Sequence, residues 1–593
     1  MRNILRTLLL LSLSLQAAAA TPASCWPAKA GKTPTTVQRE ASFSMGGLQG
    51  TIRTWSRADG AYRIETALPA AGYRSVQVYD GKRDWKADGA SRAHEVTNLE
   101  LAEMVTDGLF DSLQASNIAV ATDTPNTFTV APNGGAKVTV VVDPKTCLPR
   151  TFSRTTAVGE VTQTIDEWTT VNGHTLPAVI RQSSGNAQYD ATVRYTSTKV
   201  GEEIAASIFM RPDGGTKVAL PNGATYLEVP FELIQHHVYI PVEIAGKTVS
   251  FVVDTGAEAS VIDAGTAKSL GLTGTGSIEA RGNGEQTVSA QPIPKPQLTV
   301  AGLTLPLETM YAVPLRALWP REGRALEGIL GHDVLSRFVV EVDYAASRVR
   351  LHDPERFTPP SGATTLPMTY DGNIPAIQTA FTLPGGRRVE GRMIIDTGNS
   401  GGLDLYGPFV EANKIRADLA RTVEGAGGMG VGGVSKQDLA RIATFEAGPF
   451  KLNDPIVTLA RDTKGSAAHP ELAGNLGTRV LRRFTLFVDY PHDRVLLTPN
   501  ASFDKPFESD MSGLALIAEG DTFDRTVVRR VLPDTAAASA GLKEGDEIIT
   551  IDGSPRSLHR IRELFLQPDA TYDVRVKRGE ETLTIKLTTR RVI

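Results

Sequence analysis

Two separate stretches of the chain each end in Asp-Thr-Gly directly after an apolar, β-branched run, at residues 251–256 and 393–398. An apolar run of this length predicts a buried strand, and the glycine after it permits a tight turn. Each carboxylate is therefore expected at the end of a rigid strand, where keeping it ionised is costly. We expect Asp254 and Asp396 to meet in the folded protein, where they would share a proton and could act as acid and base.

A longer repeat surrounds these two stretches. Residues 331–338 are similar in sequence to residues 477–484, and the similarity continues through 342–344 and 488–490. This second signature repeats at nearly the same offset as Asp-Thr-Gly does, with a small difference in loop length. Two separated signatures that repeat together indicate an internally duplicated unit.

Each copy of the unit has the same order of predicted elements. A hairpin leads into Asp-Thr-Gly, and a short helix follows it, capped by Asp263 in the first copy and opened by Pro408 in the second. A glycine-rich segment comes next. A short, mostly apolar stretch then ends in glycine, at residues 329–331 and again at 475–477.

This order of parts resembles the retropepsin-like aspartic proteases, in which each lobe contributes one Asp-Thr-Gly loop and one glycine-bearing flap. The resemblance covers about residues 229–499. It implies two β-barrel lobes, at residues 216–360 and 361–500, that form an internal pseudo-dimer like the pepsin arrangement. The flaps would be the glycine-rich segments at 282–284 and 425–433.

The resemblance also implies the site and its chemistry. Asp254 and Asp396 would be catalytic, activating a water molecule to hydrolyse a peptide bond in a protein or peptide substrate. The acid and the base cannot be told apart, because the titration belongs to the pair. This reaction uses no metal and no cofactor. The supporting residues would be Thr255, Gly256, Thr397 and Gly398 beside the pair, and Gly282, Gly284, Gly428 and Gly430 in the flaps.

Departures from the pattern leave a second function open. Residues 399–402 form an unusually loose stretch after the second Asp-Thr-Gly, and Asn475 stands where an apolar residue is expected. A degenerate second lobe would make the chain a non-catalytic periplasmic scaffold that only binds peptides.

The last part of the chain, residues 507–593, is predicted to be a separate domain. Residues 527–553 resemble a PDZ domain of the bacterial type. Such domains capture a peptide C-terminus by adding it as a strand to an open sheet edge, beside an amphipathic helix expected here at about 557–566. The alternative is a PDZ fold that only packs against the protease. The carboxylate-binding loop would be Gly513, Leu514, Ala515 and Leu516.

Residues 21–212 are predicted to form one mostly antiparallel domain with one helix. Alternating stretches are cut by turn sequences, and apolar residues recur at helical spacing from Asn98 to Leu113. Residues 78–85 and 171–177 resemble, weakly, the lipoprotein-carrier fold of the bacterial periplasm. That fold would supply a groove for a lipid or a peptide, whereas the favoured interpretation is a spacer with an ordinary core. A lipid or lipoprotein carrier is a third function hypothesis.

Residues 1–20 have the features of a signal peptide. Arg2 and Arg6 give a basic start, residues 8–15 an apolar centre, and residues 18–20 a small-residue cleavage site. Nothing later in the sequence looks like a transmembrane segment. The mature protein is therefore expected to be periplasmic or secreted.

The chain has two cysteines, Cys25 and Cys147. In an oxidising compartment these are predicted to form a disulfide that pins the N-terminus to the first domain. Lipidation of Cys25 is the disfavoured alternative, because residues 22–24 make a poor lipidation signal.

Composition limits the classes of protein that remain. A length of 593 residues is too great for one core and predicts about four domains. The net charge of -4 argues neither for a nucleic-acid partner nor for an acidic membrane surface, and no nucleic-acid partner is expected. With 55 Gly and 35 Pro, many short strands and turns are expected, which makes the fold mainly β. The neighbours His236 and His237 suggest a metal only superficially, and the favoured interpretation places them at a surface strand end.

Overall fold

The computed structural model describes residues 26, 33–89, 91–97, 99–156, 159–212, 215, 217–425 and 427–593. The predicted signal peptide and Cys25 lie outside these residues. Cys147 has no free thiol, and its pairing with Cys25 stays a prediction. Within the described ranges, no helix combines the length and the apolar character needed to pass through a membrane.

The first part of the chain forms an antiparallel sheet of 13 described strands in the order β6-β5-β4-β3-β2-β1-β13-β12-β11-β10-β9-β8-β7. Its strands are β1 (Thr36–Met45), β2 (Leu48–Arg57), β3 (Tyr62–Leu68), β4 (Tyr73–Tyr79), β5 (Asp84–Asp88), β6 (His94–Val96), β7 (Ala119–Ala121), β8 (Thr127–Val130), β9 (Val138–Val142), β10 (Pro149–Thr156), β11 (Gly159–Val171), β12 (His174–Ser183) and β13 (Ala191–Val200). Strand β9 shows the sequence cause, since its alternate residues Val138, Val140 and Val142 are all buried.

The predicted helix of this part spans Leu99–Asp111. Met104 is buried in it, and Phe110 packs against a cluster that contains Trp26 and Phe128. The helix stops before Leu113, whose φ of 63° is left-handed. The expectation that Leu113 continues the helical stripe is therefore wrong.

Two further sheets of ten described strands each hold the Asp-Thr-Gly stretches. The first contains β15 (Glu232–Ile234), β16 (His237–Ile244), β17 (Lys247–Val253), β18 (Val261–Asp263), β19 (Ile278–Ala280), β20 (Val288–Pro294), β21 (Gln297–Val300), β22 (Leu303–Pro306), β23 (Thr309–Val313) and β24 (Gly328–Leu330). The second contains β28 (Thr369–Asp371), β29 (Ile374–Thr382), β30 (Arg388–Ile395), β31 (Leu403–Leu405), β32 (Val423–Glu424), β35 (Gln437–Arg441), β36 (Thr444–Ala447), β37 (Phe450–Asn453), β38 (Ile456–Ala460) and β39 (Gly474–Leu476). A separate small hairpin pairs β33 (Met429–Gly430) with β34 (Gly433–Val434).

The two ten-stranded sheets have corresponding strand orders. The first runs β19-β20-β23-β18-β24-β17-β16-β21-β22 and the second runs β32-β35-β38-β31-β39-β30-β29-β36-β37. In both, the strand before Asp-Thr-Gly pairs in parallel with the strand before the second glycine, β17 with β24 and β30 with β39. This correspondence supports the predicted internal pseudo-dimer, which stays a prediction.

A six-stranded sheet joins the two units in the order β14-β26-β25-β40-β41-β27. Its strands are β14 (Tyr226–Pro230), β25 (Val339–Asp343), β26 (Arg348–His352), β27 (Thr364–Pro367), β40 (Phe484–Asp489) and β41 (Arg494–Pro499). The central pair, β25 with β40, places Val340 opposite Val488. One apolar cluster runs through both units and includes Phe338 and Phe484.

The C-terminal part is a five-stranded sheet with its own apolar cluster, which includes Val528, Ile561 and Phe565. Its elements are β42 (Leu514–Glu519), β43 (Arg525–Val531), the helix Ala536–Ala540, β44 (Glu547–Ile551), the helix Leu558–Leu564, β45 (Thr571–Arg578) and β46 (Glu581–Thr588). The prediction of a mainly β fold with a PDZ domain at its C-terminal end is confirmed.

Short helices connect many of the strands. The α-helices of the two units are Ala264–Ser269, Trp319–Glu322, His332–Leu335, Gly407–Ala412 and Thr478–Leu481. The 3-10 helices of the described chain are Pro69–Ala71, Ala115–Ile118, Ala187–Tyr189, Ala206–Phe209, Pro221–Gly223, Leu315–Leu318, Ile415–Asp418, Ser466–Ala468 and Tyr490–His492. Asp263 caps the first α-helix by accepting a hydrogen bond from the Thr266 amide at 2.9 Å, and Pro408 lies in the first turn of the fourth, as predicted.

Candidate active site

Each Asp-Thr-Gly loop is anchored at the end of a buried strand. Strand β17 buries Phe251, Val252 and Val253 immediately before Asp254. The Asp254 amide donates to the carbonyl oxygen of Leu330 at 3.0 Å, and the Asp396 amide makes the same bond to Leu476 at 3.1 Å. The backbone on both sides of each loop is therefore held by a parallel strand, and the carboxylates have fixed starting points.

The two threonines tie the loops to each other. The Thr255 amide donates to Oγ1 of Thr397 at 3.1 Å, and the Thr397 amide donates to Oγ1 of Thr255 at 3.1 Å. Each hydroxyl then donates to the opposite strand, Thr255 to the Ile395 carbonyl at 2.6 Å and Thr397 to the Val253 carbonyl at 2.7 Å. Both threonines are fully buried. Because every polar group of this crossing has a partner, the two loops hold a fixed spacing.

The two carboxylates face each other between the linked loops, each lying against the glycine of the opposite Asp-Thr-Gly. Oδ1 of Asp254 accepts from the Gly256 amide at 2.8 Å, and Oδ1 of Asp396 accepts from the Gly398 amide at 2.9 Å. A Cβ atom on Gly256 would lie 2.6 Å from both carboxylate oxygens of Asp396. A Cβ atom on Gly398 would lie 2.5 Å from Oδ1 of Asp254. Only glycine fits at either position.

The environment of the two carboxylates is unequal. Burial, and then the charge of Asp396, raise the pKa of Asp254 well above its usual range. Nδ2 of Asn475 donates to Oδ2 of Asp396 at 2.5 Å. The corresponding residue of the first unit is Ile329, which has no polar side chain. The pair therefore has an additional hydrogen-bond donor on the side of Asp396, while its titration belongs to the two carboxyl groups together.

Asn475 is the residue whose role sequence reasoning missed. Its signal was present as a departure from the apolar pattern, which suggested degeneration of the second lobe. The stretch 399–402 is also less loose than expected. Nδ2 of Asn399 donates to Asp404 at 2.7 Å, and Oδ1 of Asn399 accepts from the Gly401 amide at 2.7 Å.

Comparison with protein families identifies the first of these loops. Residues 240–334, which include Asp254, match the family described as Aspartyl protease. The chain carries an aspartyl protease domain. The match ends before Asp396. Residues 508–570 match the family described as PDZ domain, and comparison with curated proteins finds no significant match.

Solved structures resemble parts of the chain. A LolA superfamily protein from Nitrosomonas europaea is 13% identical over 32% of this chain and 99% of its own, with a TM-score of 0.26. An aspartic proteinase from Irpex lacteus is 14% identical over 47% of this chain and 98% of its own, with a TM-score of 0.30. A photosystem II D1 C-terminal processing protease is 28% identical over 14% of this chain and 23% of its own, with a TM-score of 0.13. These scores are too low for the likenesses to decide fold or function.

The two glycine-rich segments near the Asp-Thr-Gly loops meet each other. The Gly432 amide donates to the Asn283 carbonyl at 2.9 Å, and the Gln286 amide donates to the Gly432 carbonyl at 2.9 Å. Gly282 lies against Val431, and a Cβ atom on Gly430 would lie 2.7 Å from Cβ of Asn283. The predicted flap residues of both units therefore come together, with Gly284 beside Gly432 and with Gly428 next to the β33–β34 hairpin.

His236 lies in the turn before β16 and His237 begins that strand, so both stand at a strand end as predicted. They are half-buried and line a cavity together with Asp254 and Asp396, and are not on the open surface. Nδ1 of His237 bonds to Oε2 of Glu322 at 2.7 Å, and the Tyr239 hydroxyl donates to the same oxygen at 3.1 Å. No group of three or more His, Cys, Asp or Glu side chains in the described residues is arranged to hold a metal ion.

The predicted carboxylate loop of the PDZ domain is partly engaged by its own chain. Oδ1 of Asp510 accepts from the Gly513 amide at 2.7 Å, and Oγ of Ser512 accepts from the Leu514 amide at 3.1 Å. Ala515 and Leu516 continue into the edge strand β42. Peptide binding at these four residues stays a prediction.

One cavity of about 3350 Å³ connects these features. Asp254 and Asp396 line it, as do the flap residue Gly430 and the PDZ residue Leu516. Residues of the N-terminal sheet, such as Lys86, also contribute to its wall. A bound peptide could therefore contact the carboxylate pair and the PDZ domain within one continuous space.

Proposed function

We propose that the chain is an exported aspartic endopeptidase, which hydrolyses peptide bonds by a water molecule activated between Asp254 and Asp396. The observation that carries this proposal is the pair of half-buried carboxylates, which face each other on loops that the threonines lock together. The PDZ domain would recruit or gate the protein or peptide substrate, because its edge strand β42 lines the same cavity.

The mechanism follows from the inequality of the two carboxylates. We assign the role of base to Asp396, which accepts hydrogen bonds from Asn475 and Gly398 and takes a proton from water. The water oxygen then bonds to the carbonyl carbon of the substrate. Asp254 is the protonated member and donates its proton to the carbonyl oxygen, giving a neutral diol. When the diol collapses, the carbon–nitrogen bond breaks, the leaving nitrogen takes the proton held by Asp396, and one diol hydroxyl returns its proton to Asp254, which restores the pair and leaves a carboxylic acid.

The flaps complete the site. Since Gly432 bonds to Asn283, a residue of the cavity wall, a substrate would part the two segments or pass beneath them. Closure of such segments over a peptide excludes bulk water, which strengthens the electrostatic interactions of the pair. The proposal also includes export of the protein, and its support is the predicted signal peptide at residues 1–20.

The test compares three purified full-length proteins for cleavage of casein: the unchanged chain, Asp254→Asn and Asp396→Asn. The proposal expects cleavage by the unchanged chain and loss of at least about 10³-fold in each variant. Equal activity in all three would reject the pair. Peptide binding with no cleavage by the unchanged chain would favour the non-catalytic scaffold instead.

A further inference from the structure

Four arginines line the wall of the cavity between the carboxylate pair and the PDZ domain: Arg321, Arg479, Arg482 and Arg562. We call them the arginine cluster. They come from the first unit, the second unit and the PDZ helix. Among the described residues, their guanidinium groups bond to backbone carbonyl oxygens and one imidazole, and to no carboxylate.

The four arginines make few hydrogen bonds for the number of N–H donors that they carry. Arg321 donates to the Gly427 carbonyl at 2.9 Å, and Arg562 donates to the carbonyls of Arg321 at 2.9 Å and Leu516 at 2.6 Å. Arg479 donates weakly to the Glu508 carbonyl at 3.4 Å, and its Nε is buried without a partner. A guanidinium has five N–H donors in a fork that fits a carboxylate.

Two of the acids near the cluster are engaged elsewhere, whereas Oε2 of Glu508 is buried with no hydrogen-bond partner among the described residues. Glu322 bonds to His237 and Tyr239, and Asp510 accepts hydrogen bonds within the PDZ loop. The positive charge therefore stays poorly compensated. Burial, with repulsion from Arg321, lowers the pKa of Arg562 to about 10, and burial with the charge of Arg482 lowers the pKa of Arg479. Grouping like charges out of water is unfavourable unless an anion joins them.

The cluster is close to the reacting groups. His236, which bonds to Arg482 at 3.3 Å, and His237, which bonds to Glu322 at 2.7 Å, line the same cavity as Asp254 and Asp396. The carbonyl of the neighbouring Arg321 accepts from Arg562, which also bonds to the PDZ strand β42. Asp396, the arginine cluster and Leu516 thus line one continuous cavity. An extended peptide advances about 3.3 Å per residue, so a single peptide can run along such a cavity.

We propose that the arginine cluster binds a carboxylate of the peptide substrate and so places the scissile bond a few residues away from that carboxylate. The carboxylate is supplied by the substrate's C-terminus or by an acidic side chain. This inference deepens the proposed function and rests on it for the position of cleavage. The binding site itself requires no hydrolysis.

The experiment measures binding to the full chain carrying Asp254→Asn, so that no probe is cleaved. Three short fluorescein-labelled peptides of alanine and leucine serve as probes: one with a free C-terminal carboxylate, its amidated twin, and the amidated twin with one glutamate. Fluorescence anisotropy gives each Kd, in this background alone and with Arg479→Gln or Arg562→Gln added. Arg575→Gln, on the exposed face of β45, is the matched control.

A charge-assisted contact predicts that the free-acid peptide binds about 10-fold more tightly than the amidated one. Arg479→Gln and Arg562→Gln should each remove most of that difference, while Arg575→Gln should leave it unchanged. Tight binding of the glutamate peptide would assign the carboxylate to a side chain, and weak binding would assign it to the C-terminus.

Equal affinity for all three peptides, no measurable binding of any, or an equal loss in the control variant would overturn the inference. The outcome is independent of the casein assay. A chain that fails to cleave casein and still distinguishes the peptides has the anion site without the activity. A chain that cleaves casein and binds the three peptides equally has the activity without the anion site.

Discussion

Asn475 donates a hydrogen bond to Asp396, and its counterpart Ile329 cannot donate one to Asp254. The two units thus hold the same carboxylate in different surroundings. A donor to the ionised form favours that form. The inequality of the pair is therefore set by a residue that neither Asp-Thr-Gly stretch contains.

The first prediction concerns this bond. Asn475→Leu places an apolar side chain where the first unit has one, and so makes the surroundings of the two carboxylates more alike. Loss of the donor should raise the lower apparent pKa of the pair by about one pH unit. The acidic limb of the pH profile of kcat/KM should move upward by that amount.

Asn475→Ser is the matched control, since it keeps a donor and should move the limb less. An acidic limb that stays in place in Asn475→Leu would contradict the assigned role. Because the readout is a pH profile, a general loss of stability in either variant would not imitate the effect.

The second prediction concerns the hydrogen bonds by which Thr255 and Thr397 link the two Asp-Thr-Gly loops. Thr255→Val removes the hydroxyl that accepts from the Thr397 amide and donates to the Ile395 carbonyl. Leaving these buried groups without a partner should cost about 1–3 kcal/mol of unfolding free energy each. Thermal unfolding should show a lower Tm for Thr255→Val, with Thr255→Ser close to the unchanged protein. Equal Tm values for the two variants would refute the claim that the hydroxyl holds the loops.

The third prediction concerns pH and the pair Glu322–His237. Burial opposes both charges, but the interaction of the two groups prevails, so the pKa of Glu322 is lowered from 4.5 and the pKa of His237 is raised from 6.5. The contribution of Glu322 is full above pH 4.5 and is lost as the pH falls through its lowered pKa. The contribution of His237 is full below pH 6.5 and is lost as the pH rises through its raised pKa.

Glu322→Gln should therefore lower the Tm most between pH 4.5 and 6.5, with a smaller loss in alkaline solution. Breaking a buried pair of this kind costs about 3 kcal/mol. Melting curves from acid to alkaline pH measure the difference, and Glu581→Gln on an exposed strand is the control. A difference that does not vary with pH would show that Glu322 acts by packing alone.

The fourth prediction concerns the close approach at Gly398. Gly398→Ala would push a methyl group against the Asp254 carboxylate and should abolish casein cleavage. Gly407→Ala is the matched control, because its nearest neighbour would lie at an ordinary 3.4 Å. Circular dichroism checks that both variants fold. Full activity in Gly398→Ala would mean that the carboxylate does not stand where the glycine requires it.

The features that could be predicted from the sequence are those that depend on local sequence pattern. The apolar runs before Asp254 and Asp396 form strands, Asp263 caps its helix, and the PDZ stretch forms its own sheet. Each of these depends on neighbouring residues in the chain, so spacing and residue type suffice to predict them.

The remaining features depend on contacts between distant segments. Asn475 reaches Asp396 across a parallel strand pair, and His237 is covered by Glu322 from a helix far along the chain. The arginine cluster is assembled from three segments, none of which is basic enough to stand out alone. From residue type alone these positions could only be recognised as unusual. Their roles depend on which distant residue each one contacts, and the sequence does not show that.

The six-stranded sheet has a consequence for how the molecule breaks down. Strands β25 and β40 form its centre, so the hydrogen-bonded ladder runs without interruption from one unit into the other. A cut in the exposed connection at residues 355–362 would sever the covalent link and leave that ladder whole. Nicked protein should migrate as two fragments on a denaturing gel and as one particle in native chromatography, with the carboxylates still opposed.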